Sequence, residues 1–114
     1  MVDFYGKTAP SGLEIDCIAT ARRLHDGYWF EDATMRAFRT RIGAERRTRA
    51  GLMFVTSEMG PDKVRRYSVR LAFWRRRDDG RWAVGIETIG DFQAYATRRD
   101  AVRAMRRQAW ECEP

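Results

Sequence analysis

The chain is poor in the residues that carry metal and nucleophile chemistry. Among 114 residues it has one histidine, His25, and two cysteines, Cys17 and Cys112. Zinc sites need Cys and His at close spacing, so no metal is expected. A Cys–His nucleophilic pair would require Cys17 beside His25. Eight residues apart on one helix they stand about 12 Å apart along its axis, beyond hydrogen-bond reach. His25 is expected to end a helix instead. Two isolated cysteines permit one disulfide but point rather to reduced thiols in a cytoplasmic protein.

Long apolar runs are also missing. Leu52–Val55 and Leu71–Trp74 are four residues each, which excludes a spanning helix and predicts no membrane partner. Met1-Val2-Asp3-Phe4 lacks the basic and then apolar stretch of a signal peptide. The nine glycines form neither G-x-G-x-x-G nor a Walker sequence, so no phosphate loop is expected. Pro61-Asp62-Lys63 suggests a PD…(D/E)-x-K nuclease. That motif needs an acid two residues before a lysine, and Tyr5 and Pro61 occupy those places. Asp78-Asp79 is expected to serve a turn, and Glu31-Asp32 the start of a helix or strand. No cofactor and no enzymatic activity are predicted.

What is present is a foldable, strongly basic chain. Hydrophobic residues make up 44% and aromatics 12%, enough for one core and one domain over residues 1–114. The net charge of +6 is unevenly spread. Residues 1–35 hold 3 basic and 6 acidic side chains, residues 36–77 hold 13 and 3, and residues 78–114 hold 6 and 7. The middle third thus carries +10. Apart from Lys7 and Lys63 every basic residue is arginine, whose planar donor fork suits phosphates and guanine edges. A GC-rich coding sequence would also favour arginine, but it would not cluster it.

Ser11-Gly12-Leu13-Glu14 has capping-box form, and Leu13, Cys17, Ala21 and Leu24 share a helical face before Asp26-Gly27. A helix over about 12–25 is predicted. Tyr28-Trp29-Phe30 is either core cover or an exposed stacking platform. Residues 33–43 fit a helix through Met35, Phe38 and Ile42, or a strand through Phe38, Thr40 and Ile42 with Arg39 and Arg41 opposite. The strand is slightly preferred, joined to a strand at Gly51–Ser57 through a polar Gly43–Arg49 connection. Gly60-Pro61-Asp62 marks a turn.

Arg65–Arg76 is the clearest strand. Tyr67, Val69, Leu71 and Phe73 point one way, and Arg66, Ser68, Arg70, Ala72 and Trp74 the other. Asp79-Gly80 predicts a two-residue hairpin loop into a partner strand at Arg81–Thr88. That loop sets Phe73 opposite Ile86, Leu71 opposite Thr88, and Trp74 over Gly85. Thr97-Arg98-Arg99-Asp100 is a second capping box. The helix after it, to about Trp110, has Ala101, Val102, Ala104, Met105 and Ala109 on its apolar stripe and Arg99, Arg103, Arg106 and Arg107 opposite. Phe92–Tyr95 is expected to close the core edge. The predicted fold is α+β: an antiparallel sheet of three to four strands packed on a C-terminal amphipathic helix, with a further N-terminal helix.

Two resemblances follow. DGRWAVGIE and IGDFQAYATRRDAVRA, at about 79–104, resemble in pattern the DNA-binding domains of plant ethylene-response factors and the arm-binding domains of phage integrases. In those families sheet arginines and tryptophans contact the major groove, which by position implies Arg66, Arg70, Trp74 and Arg81. FVTSE, RRYSVR and TIGDFQAYATRRDA, across roughly 52–101, resemble small uncharacterised phage and prophage proteins. That likeness implies a mobile-element origin and, by extension, binding to host proteins such as CRISPR effector complexes.

The reading that results is a non-enzymatic binding module. Its expected surface is a nucleic-acid interface of Arg66, Arg70, Trp74, Arg76 and Arg81 on the polar sheet face, with Arg99, Arg103, Arg106 and Arg107 holding phosphates. DNA or RNA is the expected partner. The alternative partner is an acidic or nucleic-acid-binding host protein complex that the protein inhibits. Both readings of the sheet face require that it be uncovered.

Overall fold

The computed structural model describes residue 15 and residues 17–25, 31–48 and 51–112, with side chains described as far as residue 108. Tyr28-Trp29-Phe30 and the first capping box lie outside the described residues. Four strands, β1 (Arg41–Arg47), β2 (Leu52–Met59), β3 (Arg65–Arg76) and β4 (Trp82–Ile89), form an antiparallel meander in the order β1-β2-β3-β4. Among the described residues three helices accompany it: α1 (Ile18–Leu24), α2 (Asp32–Ala37) and α3 (Arg98–Cys112). The α+β class and the C-terminal helix agree with the expectation.

β3 splits its side chains by parity as its alternation predicts. Val69 and Leu71 join Met53 and Val55 of β2 beneath α3, which contributes Ala101, Ala104 and Met105. The Thr97 hydroxyl caps α3 by accepting from the Asp100 amide at 3.2 Å, as the capping box requires. Small side chains on the inner stripe let the helix lie close to the sheet.

The opposite face is covered too. Ala72 and Trp74 join Leu52, Phe54 and Val84 in a second cluster under Ile15 and Ala21, with Ile18 and Leu24 packed against it. The Ile18 amide donates to Glu45 Oε2 of β1 at 2.7 Å, and His25 Nδ1 donates to the Val84 carbonyl of β4 at 3.0 Å. α1 is therefore tied to both outer strands. Seven residues make about 10 Å of helix, a fair match to the roughly 14 Å across four strands. His25 does end a helix. β2, buried on both sides along Leu52–Glu58, is the centre of an α/β/α sandwich.

Two local expectations need correction. Residues 33–43 are not one strand: α2 is helical to Ala37, Phe38–Thr40 turn, and β1 begins at Arg41. β1 also takes in Gly43–Arg47, so the connection to β2 is shorter than the polar stretch implied. Gly51 sits in that connection with φ +146°, and an added Cβ would run into the Ala72 carbonyl.

The hairpin register is also shifted by one residue. Arg76 pairs with Trp82, Trp74 with Val84 and Phe73 with Gly85. The Arg77 amide donates to the Arg81 carbonyl at 2.7 Å, leaving Asp78-Asp79-Gly80 as a three-residue loop with Gly80 at φ +84°. A glycine in the left-handed region at the third position suits such a loop. The shift moves Trp82, Val84, Ile86 and Thr88 to the Trp74 side. It leaves the side-chain-free Gly85 facing the Phe73 ring, whose Cζ would lie 3.3 Å from a Cβ there.

Candidate functional site: an arginine cleft at the sheet corner

The sheet face expected to read nucleic acid is interior. Trp74 is 4% exposed and Arg70 5%. The premise of an uncovered Arg/Trp face is therefore wrong, because α1 packs over the Trp74 part of that face and the Phe92 ring lies over Arg70. Trp74 packs as core, and its indole N–H has no hydrogen-bond partner among the described residues. Arg70 stitches three strands together: Nε donates to Thr56 Oγ1 of β2 at 3.1 Å and Nη1 to Thr88 Oγ1 of β4 at 2.8 Å. Its guanidinium also lies against the Phe92 ring, 5.0 Å from the centroid. Burial draws Arg70 below the ordinary arginine range, and the nearby Glu58 charge pulls it back.

The other expected residues separate onto distinct surfaces. Arg66, near the start of β3, forms a two-point ion pair with Asp62 at 2.8 and 3.4 Å. Arg76 and Arg81 flank the hairpin loop, about 30 Å further along the strand. There Arg76 Nε donates to the Gly80 carbonyl at 3.4 Å and its guanidinium stands over Trp82, while Arg77 pairs with Asp79 at 3.8 Å. Arg99, Arg103, Arg106 and Arg107 are exposed on the outer face of α3, on the far side of the sheet from α1. No single surface holds the expected set.

The structure assembles a different cluster at the corner where β1 and β3 begin. Arg22 of α1, Arg36 of α2, Arg39 of the following turn, Arg41 of β1 and Arg65 of β3 line one open cleft of about 800 Å³, together with Asp32, Met35, Thr40 and Met59. Asp32 is the single acid in the lining and is engaged by Arg22 at 3.1 Å. Arg36, Arg39 and Arg41 have no side-chain partner among the described residues. Arg65 is held in place, with Nη1 donating to the Ser57 carbonyl at 3.2 Å and to Ser57 Oγ at 2.8 Å. Burial first, and then the charges of Arg41 and Arg39, depress its proton affinity.

The turn that presents this cluster is well anchored. The Thr40 amide donates to the Met35 carbonyl at 2.9 Å, and the Met59 amide to the Phe38 carbonyl at 2.9 Å. Arg39 takes φ +49°, a left-handed conformation that costs a side-chain-bearing residue roughly 1 kcal/mol or more. α3 begins nearby: Arg98 Nη2 lies 3.9 Å from where a Cβ on Gly43 would stand. Sequence reasoning gave Arg39 and Arg41 a shared strand face and went no further. Arg22 and Arg65 lie far apart in the chain, and only the +10 of the middle third pointed toward this region.

A second recess lies on the other side of the same turn. It holds about 630 Å³ and is lined by Thr34, Ala37, Phe38, Glu58, Met59, Gly60, Pro61, Phe92 and Gln93. Phe38 is 49% exposed and Phe92 53%, so Phe92 does not close the core as expected. Tyr95 does join the core cluster. Glu58, in the lining of the recess, is 2% exposed, and its carboxylate is at most weakly held, by the Thr56 and Gln93 side chains beside it. Burial raises its pKa above the usual carboxylate range, and the Arg70 charge offsets this in part. No group of three or more His, Cys, Asp or Glu side chains able to hold a metal occurs among the described residues. No helix among them is long and apolar enough to cross a membrane.

Residues 15–106 match the Family of unknown function (DUF7447), and the chain belongs to that family. Neither a curated protein nor a solved structure matches it.

Proposed function

We propose that the protein is a non-enzymatic binding module of the cytoplasm that takes up a nucleic-acid backbone in the corner cleft, not on the sheet face. The observation that carries this reading is the convergence of five guanidiniums from five chain segments on one cleft whose single acid is engaged by one of them. Like charges so gathered repel, and a phosphate diester relieves that repulsion while using the planar forks for paired hydrogen bonds. The exposed row of Arg99, Arg103, Arg106 and Arg107 on α3 offers additional, weaker phosphate contacts. Arg66, Arg76 and Arg81 remain outside the cleft. Arg70 and Trp74 serve the fold.

Fluorescence anisotropy with labelled random-sequence oligonucleotides across a salt series tests this. Affinity should fall with salt at a log–log slope of about −3 to −4, as expected for four net positive charges meeting phosphates. Arg39→Gln with Arg41→Gln should flatten the slope by about 2 and weaken binding about ten-fold or more. An unchanged slope in that variant would remove the cleft from the interface. Absence of binding even at low salt would overturn nucleic acid as the partner. It would favour the acidic host protein complex instead, for which charge complementarity would serve equally.

A further inference from the structure

We infer that the ligand is single-stranded, with its phosphates in the arginine cleft and an unpaired base stacked in the neighbouring recess on the rings of Phe38 and Phe92. The inference rests on the backbone-binding reading above and adds what the second recess does. Consecutive residues of one turn serve the two sites: the Phe38 ring lines the recess and the Arg39 guanidinium lines the cleft. Their Cα atoms are about 3.8 Å apart, and Met59 lines both sites. A base and its adjoining phosphate can therefore be held together.

Phe92 is built as a platform rather than left as a loose loop residue. Its inner side rests on the Arg70 guanidinium, which two threonines fix from β2 and β4. The loop around it is held by the Gln93 amide donating to Ser68 Oγ at 2.7 Å and by two backbone hydrogen bonds between Tyr67 and Tyr95, at 2.8 and 3.1 Å. Gln93 itself is held at φ +55°. A half-exposed ring pinned from behind loses little freedom when a base stacks on its outer face, so most of the stacking energy appears as affinity. This gives the buried Arg70 a second task as a positioning residue. Duplex bases keep their π-faces covered by neighbours and cannot use such a platform.

The test compares three labelled probes of equal length: a single-stranded oligonucleotide, its duplex, and an abasic strand carrying the same phosphates. The single strand should bind roughly ten-fold tighter than the abasic strand. Phe92→Ala and Phe38→Ala should each remove most of that advantage while leaving abasic binding unchanged, and Phe92→Trp should restore it. Phe92→Leu, which keeps apolar bulk, guards against a folding defect and should behave as Phe92→Ala. Equal affinity for the abasic and base-bearing strands, or an advantage that survives both alanine variants, would overturn the inference and leave the cleft reading intact. Failure of every probe to bind at low salt would overturn both.

Discussion

The two ends of β3 are both rich in arginine, and they differ in what answers the charge. At the hairpin end, Arg77 meets Asp79, and Arg76 meets the Gly80 carbonyl and the Trp82 ring. At the start of the strand Arg66 meets Asp62 and Arg65 meets Ser57, but Arg36, Arg39 and Arg41 of the adjoining cleft have no side-chain partner among the described residues, and the cleft's one acid is engaged by Arg22. Counting positive charges along the sequence does not distinguish these ends. Pairing does, because an arginine with a local acceptor already has part of what a phosphate would offer. Between the two ends lies the stretch with Arg70 and Trp74, where position on the strand matters less than what lies over it, α1 above Trp74 and the Phe92 ring above Arg70.

The sharpest way to break this comparison is at Trp74. If the indole is core, Trp74→Ala should lower stability by about 3–5 kcal/mol. Chemical denaturation would measure this, and a stable variant with impaired binding would instead restore the open-face reading. Arg70→Ala should follow, at about 2–4 kcal/mol, since it removes two hydrogen bonds and the charge that offsets buried Glu58. Gly51→Ala should cost about 2 kcal/mol or more, because both its φ and its nearness to Ala72 forbid a side chain.

Glu58 gives a pH test of the same interior. Its folded-state pKa stands above the ordinary 4.5, so between the two values the folded state holds more protons than the unfolded one. Stability should therefore fall as pH rises from the ordinary value through the raised one, and stay flat above it. Glu58→Gln should melt higher than wild type at neutral pH, with the gap closing below about pH 4. A gap that widened on acidification would refute the assignment. The smallest effects belong to the hairpin end. Arg76→Ala and Arg81→Ala should each change stability by less than about 0.5 kcal/mol and binding by less than about three-fold.

Much of the fold was legible because it is written in local periodicity. The parity of β3, the turn at Gly60-Pro61-Asp62 and the Thr97 cap of α3 all depend on residues within one element. Two clues were present but pointed elsewhere. Leu52-Met53-Phe54-Val55 is apolar at both parities, the mark of a strand buried on both faces. A strand beside it could hardly leave a tryptophan in water. Asp78-Asp79-Gly80 also offered a three-residue loop as readily as a two-residue one, and one residue of register changes which side chains share a face.

The sequence by itself determined the alternation of β3, the amphipathic C-terminal helix, the α+β class and the excess of positive charge in the middle third. Those properties arise from neighbours a few bonds apart and survive without a partner. Only the tertiary structure decided that Arg70 and Trp74 are enclosed and that Arg22, Arg36, Arg39, Arg41 and Arg65 meet. Burial and charge convergence depend on which segments cross in space. Here that was settled by a seven-residue helix laid over Trp74, by the loop that brings Phe92 onto Arg70, and by one turn that places a ring and a guanidinium on opposite sides of the same corner.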